Sequence, residues 1–267
     1  MTFLPSIHWH PPQVSMRIVL KFGSGILANR RGTNLDEAQF RRLAAEVAEL
    51  AAGGHECLIV SSGAVAAGLD VLGLRTRPDE LAARQACAAI GQTKLMSLYA
   101  EVFASHGINV AQLLLTHDDL DSRLRHRNAR ATLERLFERG NVVPIINEND
   151  SVAVEELRFG DNDLLSAEVA MLADADALFL LTSVAGLLDA KGKRVPLVED
   201  VEAVAGLVKD EKGRLSVGGM SSKLQAVKTA VNAGISTWII SGRKPAQVRA
   251  AIQGNGAGTR FPAKKPA

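Results

Sequence analysis

Cysteine is scarce in this sequence of 267 residues: Cys57 and Cys87 are the only two, and neither belongs to a C-x-x-C pair. That argues against a disulfide framework and a thiolate metal site, and it fits a reducing, cytoplasmic compartment. An excess of one charge is missing too, because 31 Lys and Arg stand against 29 Asp and Glu for a net charge of +2. Such a chain carries no general electrostatic footprint for nucleic acid, and its partner is expected to be small. The most apolar window, ALFLLTSVAGLL at 177–188, is interrupted by Thr182, Ser183 and Gly186. It falls short of the roughly 20 residues that span a bilayer, so no membrane span is expected. The opening MTFLPSIHWHPPQVS has no basic segment leading into a long apolar core, and reads as a loose tail over 1–15 rather than a secretory signal.

Several catalytic signatures are absent as well. G-x-x-x-x-G-K-[ST] occurs nowhere, and no G-x-G-x-x-G follows the first apolar run, which disfavours the common nucleotide folds. His55 and Glu56 lack the second histidine of H-E-x-x-H, and no G-x-S-x-G elbow appears. No cluster of metal-ligating residues is assigned.

What is present is a regular alternation. Short, continuous apolar runs at 17–22, 57–62, 109–115, 142–147, 177–182 and 236–241 are separated by helical patterns at 35–52, 79–104, 125–139, 162–173 and 221–234. Strands of that kind are covered on both faces, as in a parallel sheet. With 47% hydrophobic residues, the expected fold is a three-layer α/β/α sandwich around a mainly parallel sheet, one domain over 16–260 with a tail at 261–267. A short closing strand is allowed at 258–261. The helix around 81–107 is apolar over more of its circumference than one sheet face needs, which suits a subunit interface. The basic run RLRHRNAR at 123–130 lacks interleaved aromatics and reads as a solvated helix face or a subunit contact.

The ends of the strands carry the chemistry. Gly23, Gly25 and Gly63 follow the first two strands and permit close backbone approach to an anion, although ordinary tight turns explain the glycines equally well. Lys21 ends a buried apolar strand, where packing gives it no role. Lys223 opens a helix behind Gly218 and Gly219, where a cation opposes the macrodipole unless it serves an anionic ligand or is simply an exposed surface lysine. The segment 149–163 breaks the alternation and fits an inserted hairpin. It delivers Asp161, Asn162 and Asp163 to the start of the next helix, and capping accounts for only one of them. Two lysines, glycine turns and a carboxylate cluster without a nucleophile and base suggest phosphoryl transfer.

Taken in order, VLKFGSG, VSSGAVAAG, INENDSVAVEELRFGDNDLLSA, LLTSVAGL and GGMSSKLQAVKTAVNAG resemble the glutamate 5-kinases, of the amino acid kinase family, from about residue 16 to 260. The glycine and lysine segments are common to the superfamily; the paired NEND and GDND single out the glutamate enzymes. The resemblance implies ATP-dependent phosphorylation of the L-glutamate side-chain carboxylate to L-glutamyl 5-phosphate, the first step of proline synthesis, with Mg²⁺ required. It makes Lys21 and Lys223 the cations on the transferring phosphoryl group and Asp163 the carboxylate that orients them. Ser62, Asn147, Asp150 and Asn162 match positions that hold glutamate, with Asp161 close by. In that match Asp150 suits the ammonium, and Ser62 and Asn162 act as donors to the carboxylates. Lys21, Gly23, Thr182, Ser183 and the loop Val217, Gly218, Gly219, Met220, Ser221, Ser222 and Lys223 fall on the nucleotide side.

There are departures from the family pattern. Ser183 stands where an Asp is usual, Val217 stands where a Thr is usual, and the RNA-binding-like C-terminal (PUA) domain of many bacterial members has no counterpart, as in short kinase-only forms. Two alternatives follow: an amino acid kinase for another acceptor (aspartate, N-acetylglutamate or UMP), or a non-catalytic amino-acid sensor. Feedback inhibition by proline, which resembles a cyclised glutamate, and assembly as a dimer or tetramer complete the expectations.

Overall fold

A computed structural model describes residues 15–29, 31–153, 161–205 and 219–264, with the side chains of Asp161 and Ala205 outside that description. In chain order the elements are β1 (Arg17–Phe22), α1 (Ser24–Leu27), α2 (Glu37–Ala52), β2 (Glu56–Ser61), α3 (Ala64–Val71), α4 (Leu81–Ala104), β3 (Asn109–Leu115), α5 (His117–Asp121), α6 (Arg123–Phe137) and β4 (Val142–Glu148). They continue with α7 (Asp161–Leu172), β5 (Ala177–Thr182), α8 (Val201–Ala205), α9 (Met220–Asn232), β6 (Ser236–Ser241), α10 (Gln247–Ile252) and β7 (Thr259–Phe261). The strands form one sheet in the order β3-β4-β2-β1-β5-β6-β7. All neighbours are parallel except the final antiparallel pair, β6 with β7.

Side-chain alternation on the pleated strands sorts the core into two halves. Ile18, Leu20 and Phe22 of β1 join Phe40, Leu95, Tyr99 and Phe103 on one side, the layer of α1, α2, α4 and α10. Val19 points the other way, among Leu165, Leu180, Val227 and Phe137, the layer of α6, α7 and α9. By the same alternation Lys21 faces the α7 and α9 layer, and Asn147 faces α4. Sequence periodicity at the strands thus decides which helices meet the polar residues at their ends.

The order of the strands also locates the ligand crevice. The chain leaves β1 toward β2 on one flank, whereas β5 pairs with the opposite flank of β1 and leads on to β6. The switch point therefore lies between the carboxyl ends of β1 and β5, where open α/β sheets bind ligands.

Two expectations need adjustment. The domain does not stop at residue 260: Phe261 is fully buried, and Ala263 and Lys264 donate backbone hydrogen bonds to Ser236 Oγ and the Val231 carbonyl. Phe261→Ala is expected to cost about 3 kcal/mol, read as a lower urea midpoint with unchanged slope. Part of the apolar circumference of α4 is covered inside the chain, by α3 rather than by a second subunit. A Cβ built on Gly68 would lie 1.8 Å from the Cys87 carbonyl oxygen, and one on Gly91 would lie 1.8 Å from that of Ala64, so the two helices cross almost backbone to backbone. Residues 154–160 of the hairpin expected over 149–163, and residues 1–14 of the tail expected over 1–15, lie outside the described residues.

Candidate active site

Asp163 sits in the first turn of α7, only 1% exposed, and binds two ammonium groups at once. Lys21 Nζ lies 2.6 Å from Oδ1 as an ion pair, and Lys223 Nζ donates to Oδ2 at 3.0 Å. Ser222 Oγ adds a hydrogen bond to Oδ2 at 2.9 Å. The three residues come from β1, α7 and α9, and the alternation that turns Lys21 to this side of the sheet makes the meeting possible. Lys21 and Lys223 are themselves buried, at 7% and 8% exposure.

In this buried triad two cations share one carboxylate in a place that water hardly reaches. Burial pushes the Asp163 carboxyl upward, but Lys21 and Lys223 pull it down further, so it ends below its ordinary value of 3.8 and stays ionised. Burial pushes Lys223 below its ordinary 10.5 despite Asp163, and Lys21 adds to that lowering. A bound anion would oppose that lowering and stabilise the charged ammonium, which suits a site for a phosphate.

Around the corner at β2 and β4 a second, uncharged group assembles. Asn162 Nδ2 donates to Ser62 Oγ at 2.9 Å, to Asn147 Oδ1 at 3.0 Å and to the Ser61 carbonyl oxygen. Asn147 is 2% exposed; its Oδ1 also accepts from Glu148 N at 3.0 Å, and its Nδ2 donates to Gln92 Oε1 at 2.9 Å. Gln92 Nε2 in turn donates to Gln112 Oε1 at 3.0 Å. Gly63 has φ of 103°, a left-handed backbone open to glycine, and that turn lets α3 begin directly after Ser62.

The expectation that Asn162 donates to a substrate carboxylate does not survive this geometry. Its amide hydrogens are taken up inside the protein, so its oxygen is the atom left to offer. Ser62, by contrast, accepts from Asn162 and keeps its hydroxyl hydrogen for a ligand.

The nucleotide-side residues are brought together in part. Register pairs Phe22 with Leu181, so Gly23 and Thr182 stand side by side at the switch point. Lys21 Nζ would lie 3.3 Å from a Cβ on Gly23, and the Thr182 carbonyl accepts from Gly242 N at 2.7 Å. Ser183 and Ser221 are exposed, while Met220 packs against the α7 and α9 core. Gly219 is the N-cap of α9 and its carbonyl accepts from Ser222 Oγ. Val217 and Gly218 lie outside the described residues, as does the side chain of Asp161. Asp150 is half-buried in the turn after β4.

Sequence reasoning missed Gln92, Ser222 as a partner of Asp163, and Tyr99, whose hydroxyl meets Ser61 Oγ at 2.8 Å under the β2 end. Gln85 and Gln92 share one face of the apolar α4, and Gln85 Nε2 donates to the Ala153 carbonyl at 3.2 Å. Two amides at that spacing on one face of the helix were the available signal. Cys57 is buried, its thiol pushed up to about 12 by desolvation, and offers no nucleophile. Among the described residues no helix is long and apolar enough to cross a membrane.

Comparison with known proteins matches residues 16–241 to the profile of the amino acid kinase family. The chain is 45% identical over 261 residues to a glutamate 5-kinase of Thermus thermophilus, covering 96% of this chain and 70% of the relative. It is 45% identical over 250 residues to glutamate 5-kinase 1 of Bacillus licheniformis, covering 91% of this chain and 68% of that one. Among solved structures it is similar to the UMP kinase of Bacillus anthracis, with a TM-score of 0.62 at 14% identity over 94% of this chain and 97% of the other. The N-acetylglutamate synthase of Neisseria gonorrhoeae also gives 0.62, at 15% identity over 93% and 62%. The two structural likenesses establish the fold alone.

Proposed function

We infer the reaction from one premise: the chain belongs to the amino acid kinase family and, within it, to the glutamate 5-kinases. It is an ATP-dependent kinase that phosphorylates the side-chain carboxylate of L-glutamate to L-glutamyl 5-phosphate, in proline biosynthesis. The observation that carries the mechanism is the Lys21–Asp163–Lys223 triad at the switch point.

Phosphoryl transfer asks little covalent chemistry of a protein and much positioning of charge. In our reading Lys21 and Lys223 meet the oxygens of the transferring group, and Asp163 holds the ammonium groups in place before the nucleotide arrives. Because Asp163 is paired on both oxygens, the two cations are separated by a fixed spacer instead of repelling each other. They need no reorganisation when charge develops. The nucleotide is assigned to the β1 and β5 ends, with Gly23, Thr182, Ser183 and the α9 start, and glutamate to Ser62, Asn147, Asp150, Asp161 and Asn162.

A resident divalent cation does not fit the described residues. They contain no group of three or more His, Cys, Asp or Glu suited to one, and the buried Asp163 is already occupied by lysines. Magnesium is therefore assigned to the nucleotide phosphates, as part of the substrate.

The test is direct. Purified protein with ATP, Mg²⁺, glutamate and hydroxylamine should yield γ-glutamyl hydroxamate, and product no greater than that of an Asp163→Ala control would overturn the reading. We further propose a cytoplasmic dimer or tetramer, supported by the exposed Val71, Leu72, Leu74 and Ile90 on and between α3 and α4. A monomer by analytical ultracentrifugation removes that part. Proline is proposed as a feedback inhibitor, and a proline titration that leaves the rate unchanged removes that one.

A further inference from the structure

Backbone groups fix the polarity of the four amides that run from Gln112 through Gln92 and Asn147 to Asn162. Glu148 N–H can only donate, so the atom of Asn147 beside it is the oxygen, and the Asn147 NH₂ must face Gln92. Gln92 meets it with its own oxygen and is left to present its NH₂ to Gln112. At the other end the Ser61 carbonyl can only accept, so the atom of Asn162 beside it is the nitrogen. The Asn147 oxygen and the Asn162 nitrogen then face each other as acceptor and donor.

We propose that Gln92 is a positioning residue for substrate recognition. The backbone sets which atoms face each other; by accepting from Asn147, Gln92 anchors that side chain so that its oxygen stays against the Asn162 nitrogen and the free Asn162 oxygen is held in one position. An ammonium group only donates, so an acceptor at Asn162 suits the amino group of an α-amino acid and rejects an acceptor in its place. Gln92 works from α4, in the layer opposite α7 and α9. Its loss disturbs the amides without touching the two lysines.

This inference rests on the glutamate reading above, and the experiment separates the two. Gln92→Met keeps the length and volume of the side chain but removes the acceptor. Gln92→Glu keeps an acceptor toward Asn147, and the exposed Gln112 turns its own NH₂ inward to meet it. In the hydroxamate assay Gln92→Met is expected to raise KM for glutamate about tenfold or more, the effect of one buried donor left unpaired. KM for ATP and kcat at saturating glutamate stay close to wild type, Tm falls by only a few degrees, and Gln92→Glu restores most of the glutamate affinity and of the lost stability. Gln92→Met with unaltered KM for glutamate, an equal rise in KM for ATP, or Gln92→Glu as impaired as Gln92→Met would each overturn the proposal. A wild-type protein that makes no hydroxamate sinks the functional reading and this inference together; an active wild type beside an unaffected Gln92→Met sinks this inference alone.

Discussion

Asp163→Asn is expected to lower kcat by about a thousandfold, comparable to removing a preorganised charge-stabilising group from other active sites. The asparagine amide occupies the same space, but its single oxygen accepts from one lysine only and its NH₂ faces the other ammonium, donor against donor. It removes the negative charge that keeps two buried ammonium groups in register, with Lys21 at 2.6 Å and Lys223 at 3.0 Å from its oxygens. The freed cations splay apart, and the positions that should receive the transferring phosphoryl group are lost. ATP still binds, because the local positive charge has grown; calorimetry showing intact nucleotide affinity beside a collapsed kcat is the expected pair of results. A variant that retains more than a tenth of the wild-type kcat would place the triad outside the chemistry.

The same substitution is expected to cost about 3–5 kcal/mol of stability, since it leaves buried charge without its partner. The pH dependence follows from the direction of the Asp163 shift. Its carboxyl is held below the ordinary 3.8, so the folded state binds its proton less readily than the unfolded chain does. The stabilisation is complete above 3.8 and is lost as pH falls through the lower value that the fold imposes. Asp163→Asn should therefore remove part of the acid limb of the stability profile, and urea midpoints measured from neutral pH down through 3 would show wild type and variant converging.

Gly91→Ala is the second large effect. A methyl group there would stand 1.8 Å from the Ala64 carbonyl oxygen and 2.3 Å from the Gly68 nitrogen, both backbone atoms of α3. No rotamer relieves a clash between backbones, so α3 and α4 must separate. The expected loss is about 4 kcal/mol, or a fall in Tm of about 8–16 °C. Because α3 starts directly after Ser62 and Gly63, the separation also displaces the β2 end, and KM for glutamate should rise more than KM for ATP. Normal stability in Gly91→Ala would mean that the two helices are farther apart than described.

Much of this structure is readable in the sequence because strands buried on both faces leave continuous apolar runs. RIVLKF, NVAQLLL, ALFLLT and STWIIS each fall on a strand with matching bounds. Helix α3 is not readable in the same way. AVAAGLDV has neither a polar face nor a cap side chain, and it merges with the glycine turn before it. The lysines stand out because each contradicts its setting, an apolar strand end for Lys21 and a helix start for Lys223. Gln92 is far less conspicuous: its spacing from Gln85 hints at a polar stripe on α4, but its role shows only when folding brings Asn147, 55 positions away, against it. The polarity of Asn162 is hidden for the same reason: which atom of an amide is free depends on three acceptors, from β2, the turn that follows it and β4.

The central place of β1 has a consequence for the protein's synthesis. Its first strand must wait for β5 to cover its second flank, with Ile18 aligned to Ala177, and Lys21 must wait longer still for Lys223. Contacts that span so much of the chain are slow to close. A nascent chain still short of α9 holds Lys21 and Asp163 but not the second cation. The strand β1 becomes catalytically meaningful only after α9 has been made and has folded against α7.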